Sequence, residues 1–153
     1  MTRPKKIVVA YDGSVHSKEA LNWAVDLSLL TGAPVIAAKV VELVEINRVD
    51  ALNHAEFGAN LSERFAELHE ADIKQMEEAV ETGRKKGVVV KPEMISGNVA
   101  RSIIDYADQN GADLIIAGTK GHGALTELLI GSVVRNLLSL SDIPVLVVKA
   151  TAE

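Results

Sequence analysis

Short runs of aliphatic and β-branched residues alternate along the chain with longer stretches in which apolar positions recur every three or four residues. This is the pattern of parallel strands joined by crossover helices. It predicts strands at about Lys6–Tyr11, Pro34–Val41, Val88–Ile95, Asp113–Gly118 and Pro144–Lys149, and helices at about His16–Leu30, Leu61–Lys86, Val99–Gln109 and Ser132–Leu140. In the first helix Ala20, Leu21, Ala24, Val25 and Ser28 share a face, and Gly32 is the expected stop. Leu61, Phe65, Leu68, Met76 and Val80 keep helical spacing along the second, with Gly83 and Gly87 closing it. Ile103, Ile104 and Ala107 turn inward in the third, which Asn110-Gly111 ends. The stretch Glu42–Asn60 is polar and without period, and no repeat or linker divides the chain, so 1–153 reads as one domain.

The residue types constrain the order of the strands. Ile7-Val8-Val9-Ala10 and Leu114-Ile115-Ile116-Ala117 are unbroken apolar runs, as expected where helices cover both faces of a sheet, so these strands belong in the middle. Pro92 cannot donate to a ladder and assigns the third strand to an edge. The expected fold is an α/β, five-stranded parallel sheet of order 3-2-1-4-5 with helices on both faces. The winding then reverses between strands one and four, which opens a crevice at their carboxyl ends. Asp12-Gly13-Ser14 and Gly118-Thr119-Lys120-Gly121 both lie there, so a ligand site is expected before any other argument.

Composition narrows what that ligand is. The 153 residues carry 16 Lys and Arg against 21 Asp and Glu, and 3% are aromatic, which argues against nucleic acid as a partner: there is neither a basic stripe nor a stacking platform. With no cysteine, thiolate metal sites, disulfides and thiol nucleophiles are excluded, and a reducing, cytoplasmic address fits. The apolar run Ile7–Ala10 is too short for a signal peptide or membrane span, so no membrane role is expected. His16, His54 and His69 show no metal-ligand spacing. Trp23 and Phe57 read as packing residues, and Glu77-Glu78 and Arg84-Lys85-Lys86 as a solvated helix face.

The most informative segment is Gly118-x2-Gly121-x9-Gly131-Ser132. Glycines let successive N–H groups converge on an anion, and the helix that Gly131-Ser132 opens points its unpaired N–H groups and positive dipole end at the same place. The spacing is neither the Walker loop nor the dinucleotide fingerprint. Taken with Ile7-Val8-Val9-Ala10-Tyr11-Asp12-Gly13-Ser14, with Ser17 and Ala20-Leu21 after it, and with the ending Pro144-Val145-Leu146-Val147-Val148, the chain resembles the universal stress protein family over about residues 4–150. The glycine spacing is similar to that of the nucleotide-binding branch. The implied fold is Rossmann-like, of the adenine nucleotide alpha hydrolase-like kind.

The resemblance implies adenine and ribose contacts from Ala10, Tyr11 and Asp12, and a backbone contact to the adenine edge from Val40. Ala117 and Gly118 would line the ribose and phosphate floor. Lys120 and Gly121 would contact phosphates, and Gly131, Ser132, Val133 and Val134 would form the helix-start part of the cradle. Gly97-Asn98 resembles a position near the phosphates. Two positions depart from the family: Arg135, where an acidic residue is common, answers to a phosphate, a carboxylate or solvent, and Tyr11 is bulky enough to flank the base or narrow the pocket.

Several residues keep two readings. Asp12 is suited to accept ribose or base hydrogen bonds or to help hold Mg²⁺, the role that the crevice favours; the other is to cap the turn into the first helix. Lys120 and His122 are either phosphate contacts or solvated loop residues. Hydrolysis would need a positioned water and a base besides charge neutralisation, and no nucleophile–base pair is apparent. The expected function is a stress-associated regulatory or sensor dimer that binds ATP, ADP or AMP, with Mg²⁺ carried by the nucleotide. The alternatives are a slow Mg²⁺-dependent ATP hydrolase and a dimeric interaction protein with an empty pocket. The homodimer is expected through Val145–Val148, because this strand is apolar and lacks the charges that usually blunt an edge. The residues do not identify a protein client. Finally, Val44–Asn60 leaves the carboxyl end of strand two and is expected to form a mobile cap over the nucleotide.

Overall fold

Alternation along the central strand decides how the molecule is layered. In β1 (Ile7–Ala10), Ile7 and Val9, with Tyr11 just beyond, point to one face, and Val8 and Ala10 to the other. The computed structural model describes residues 3–41, 58–120 and 130–150, with the backbone alone for 58–69. Its elements follow in the order β1, α1 (Val15–Thr31), β2 (Val35–Val41), α2 (Gly58–Arg84), β3 (Val90–Ser96), α3 (Val99–Gln109), β4 (Leu114–Gly118), α4 (Ser132–Leu140) and β5 (Val145–Val148). The strands form one parallel sheet in the order β3-β2-β1-β4-β5, as expected from the sequence.

Helices α1 and α2 cover the Ile7–Val9–Tyr11 face through Ala20, Leu21, Ala24, Val25, Met76 and Ala79. On the opposite face, Val8, Ile36, Ala38, Ile115 and Ala117 meet Ala100, Ile103, Ile104 and Ala107 of α3 and Val134 and Leu137 of α4. Ile7, Ile115, Ile116 and Leu137 are fully buried, each contributing roughly 2 kcal/mol of transfer free energy. Pro92 is exposed on the β3 edge, opposite Ala37. Among the described residues no helix is long and apolar enough to cross a membrane.

The observed limits of α3 and α4 coincide with those expected, and the other elements shift by one to three residues at either end. Helix α2 starts at Gly58, ahead of the expected Leu61, because Gly58-Ala59-Asn60 has no apolar face of its own to reveal a period. The rest of the expected cap, 44–57, lies outside the described residues, as does Phe57.

Three expectations are corrected. Gly83 does not stop α2: it is buried inside the helix, where a Cβ would lie 2.4 Å from Val90 Cγ2 and 2.6 Å from the Val88 carbonyl oxygen. It marks the point where α2 presses on β3, and the turn itself is made by Gly87 at φ +78°. Trp23 is not a core residue, being 49% exposed, because the inward stripe of α1 is filled by smaller side chains on the opposite side of the helix. Ser28 is only half-buried, and its hydroxyl donates to the Ala33 carbonyl at 2.7 Å, closing the C-terminal turn. The charged cluster is solvated as expected, with Lys18–Glu78 at 3.9 Å linking α1 to α2 and Lys86–Asp26 at 2.8 Å linking α1 to the turn after α2. Exposed pairs of this kind contribute little.

The start of the sheet is pinned by Asp113, whose carboxylate accepts the backbone N–H of Lys5 at 2.9 Å and of Lys6 at 3.0 Å. Desolvation works against its charge but is outweighed by the N–H bonds from Lys6 and Lys5 and by the Lys5 charge, so the carboxyl titrates below its usual range. A lowered folded value stabilises above the unfolded value and is lost as pH falls through the folded one. Asp113→Asn should therefore be less stable than wild type at pH 7 in urea denaturation, and the gap should narrow below about pH 4.

Candidate functional site

Three neighbouring strands present alanine at the carboxyl end of the sheet on the α3–α4 face. Ala10 pairs with Ala38 of β2, and Ala117 of β4 follows Ile116, the partner of Val9. Methyl groups at all three positions leave space that larger side chains would fill, and a cavity of about 460 Å³ opens above them. That is the size of a small-molecule site. Val40, Val99, Ile103 and Val134 wall it with apolar surface, and Asp12, Ser17, Thr119, Lys120 and Ser132 bring polar groups to it.

Of the twelve residues that the resemblance assigns to the nucleotide, eleven line this one cavity. Ala10, Tyr11, Asp12, Val40, Ala117, Gly118, Lys120, Gly131, Ser132, Val133 and Val134 are brought together, and Gly121, like His122, lies outside the described residues. Ser17, Ala38, Val99, Ile103 and Thr119 also line it and escaped the sequence reading. Ala38 was legible only through its register with Ala10. Val99 and Ile103 stand four apart on α3, a spacing that also describes any core-facing helix. Gly97 and Asn98 are not in the lining. Gly97 takes φ +129°, and Asn98 caps α3 by accepting the Arg101 N–H at 3.2 Å, so together they turn the chain from β3 into α3.

The loop from β4 to α4 is anchored at both ends, since the Gly131 N–H donates to the Thr119 carbonyl at 2.8 Å. Gly131 is the N-cap of α4, extended at φ −63° and ψ 155°, and supplies no side-chain cap. The first bond of the helix is Arg135 N–H to the Gly131 carbonyl at 3.1 Å, so the N–H groups of Ser132, Val133 and Val134 have no intrahelical acceptor. Three donors and the positive end of a helix dipole thus border the cavity, an arrangement that attracts an anion. Arg135 does not line it: the side chain is exposed to solvent, one of the three answers open to it, and donates through Nη2 to the Ile130 carbonyl at 3.3 Å.

Asp12 performs the structural role weighed for it and still borders the cavity. Its Oδ1 accepts the Ser14 N–H at 2.9 Å, forming the turn, and Ser14 then caps α1 by accepting the Ser17 N–H at 3.3 Å. Gly13 between them holds φ +81°. Tyr11 is 3% exposed and its ring packs in the core under α1 and α2. Burial raises the pKa of its phenol, and the Glu78 and Asp12 carboxylates raise it further. Among the described residues no group of three His, Asp or Glu side chains is placed to hold a metal ion.

Helix α1 approaches β4 more closely than any side chain would allow. A Cβ on Gly118 would lie 2.6 Å from the His16 carbonyl carbon and 2.7 Å from its oxygen. Thr119 Oγ1 and His16 Nδ1 are 3.4 Å apart at the same contact. Gly118 therefore serves the packing of α1 as well as the cavity floor.

A doubly wound parallel sheet with a lined crevice where its strand order reverses defines a class of α/β proteins. Within that class the chain belongs to the universal stress protein family, whose sequence model matches residues 4–149. It is 34% identical over 145 residues to universal stress protein MJ0531 of Methanocaldococcus jannaschii, an alignment covering 95% of this chain and 82% of the relative. The solved structure of MJ0577, from the same organism, superposes with a TM-score of 0.78 at 29% identity over 97% of this chain and 99% of that one. That of the universal stress protein from Archaeoglobus fulgidus in complex with dAMP gives 0.64 at 23% identity, over 93% and 95%.

Because a Gly118 methyl group would strike the His16 carbonyl group and Cβ, none of which can swing aside without moving the backbone of α1, Gly118→Ala is expected to lower stability by about 2 kcal/mol in urea denaturation.

Proposed function

We propose that this protein is a cytoplasmic, single-domain binding module for adenine nucleotide, acting as a regulatory or sensor dimer in a stress response. The observation that carries this reading is the meeting, at one alanine-floored cavity, of an apolar pocket and the uncapped N-terminus of α4. A purine fits the Ala10–Ala38–Val40–Val99–Ile103 side, and phosphates fit the N–H groups of Ser132–Val134 with Lys120 nearby. Asp12 is within the lining to accept a ribose hydroxyl, and a Mg²⁺ carried by a triphosphate would draw on the same carboxylate. Gly121 extends the cradle in this reading. Membership of the family and the dAMP complex of the Archaeoglobus fulgidus relative support the choice of an adenine nucleotide. The reading covers ATP, ADP and AMP alike, with hydrolysis at most slow.

Calorimetry on nucleotide-free protein should show saturable uptake of ATP or AMP at one site per chain. Ala10→Leu, which fills the floor, should weaken it more than tenfold while the circular dichroism spectrum is kept, since a misfit of several methylenes costs well over 1.4 kcal/mol. Absence of uptake by the wild type would overturn the reading.

The dimer rests on β5, whose Val145, Leu146 and Val147 are half-buried on a sheet edge with no ladder partner among the described residues. A second copy pairing there satisfies the open backbone groups and covers those side chains. Light scattering at micromolar concentration should give twice the chain mass, and Val147→Lys should give the monomer; a monomeric wild type contradicts the dimer.

A further inference from the structure

Behind the cavity, on the α1–α2 side of the sheet, one helix touches both of the strand ends that wall it. Alternation along β2 sends Val40 toward the cavity and Lys39 to the opposite face. There the Lys39 ammonium, 13% exposed, lies 2.7 Å from Asp72 Oδ1 and also donates to Gln75 Oε1, both on α2. The Gln75 side chain in turn lies against Gly13: a Cβ at that glycine would sit 2.9 Å from Gln75 Cδ and 3.0 Å from Nε2. Gly13 belongs to the turn that carries Asp12, and Lys39 precedes Val40, so Gln75 spans the supports of both.

A cluster of this kind contributes little to stability, because desolvating an ammonium and a carboxylate offsets most of their attraction. What it supplies is geometry. The amide of Gln75 fills the space that the missing Gly13 side chain leaves, and the Lys39–Asp72 pair holds the end of β2 against α2.

We propose that Gln75, Lys39 and Asp72 are positioning residues of the nucleotide site, fixing the Asp12 turn and the Val40 strand end from behind without touching the ligand. The inference rests on the nucleotide reading above. Coupling of this kind is reciprocal, so a bound nucleotide must also steady α2 through the same contacts. Helix α2 is thereby the element through which occupancy is felt outside the site.

The test is calorimetric titration with AMP, together with hydrogen exchange of the amides of 70–84 with and without AMP. Gln75→Ala, which removes both contacts, should raise the Kd about fivefold. Gln75→Glu, which keeps an acceptor for Lys39 and the packing on Gly13, should stay within about twofold of wild type. AMP should slow exchange in 70–84 of the wild type and of Gln75→Glu, and not of Gln75→Ala, a difference that a merely stabilising side chain would not produce. If Gln75→Ala does not fold, Lys39→Met against Lys39→Arg makes the same comparison. Wild-type binding with equal affinity in both Gln75 variants, or with α2 exchange indifferent to AMP, overturns the positioning role and leaves the nucleotide reading intact. A wild type that takes up no adenine nucleotide overturns both.

Discussion

Strand β1 is hydrogen-bonded on both edges and covered on both faces, and the rest of the molecule is arranged around that double burial. A parallel strand in such a place has no solvent side, so every residue from Ile7 to Val9 is apolar and the helices must be shared between the two faces. Sharing them reverses the winding between β1 and β4, and no connection can pass over the carboxyl ends at the reversal. The gap is unavoidable. Its use depends on the residues at its rim, and here these are alanines below, valines and an isoleucine around, and open N–H groups at one end.

That end explains why the charge of the chain says so little about its ligand. With 21 acidic residues against 16 basic ones the molecule is mildly acidic, yet the described cavity borders three helix-start N–H groups that no charge count registers. Backbone donors are held by the fold at no cost in side-chain entropy. The same economy ties the site to its surroundings. Gly118, in the cavity lining, admits the backbone of α1, and Gly13, in the turn beside Asp12, admits Gln75 of α2, so helices from the opposite face approach the site at two glycines.

Most of the architecture was legible because its causes are local and repeated. The unbroken aliphatic runs of β1 and β4, the proline in β3, the helical stripe of Ile103, Ile104 and Ala107 and the glycine spacing after β4 each speak for themselves. The reading failed where a residue's meaning depends on what faces it. Gly83 looks like a helix stop until Val90 is placed 2.4 Å from where its Cβ would be. Trp23 looks like a packing residue until Ala20, Leu21, Ala24 and Val25 are seen to fill the face of α1 that meets the sheet. Arg135 leaves a phosphate, a carboxylate and solvent open until it is found exposed, on the Ile130 carbonyl.

The linear pattern was sufficient for the class of fold, the order of the strands and the place of the crevice, because hydrophobic period, proline and glycine act through the backbone of their own segment. Only the folded chain could show that Ala10, Ala38 and Ala117 lie side by side as a floor, that Val99 and Ile103 close a wall, and that Gln75 lies behind Asp12. Those facts depend on register and on the distance between helices on opposite faces of a sheet. Both are fixed by the fit of side chains far apart in sequence, which no single segment contains.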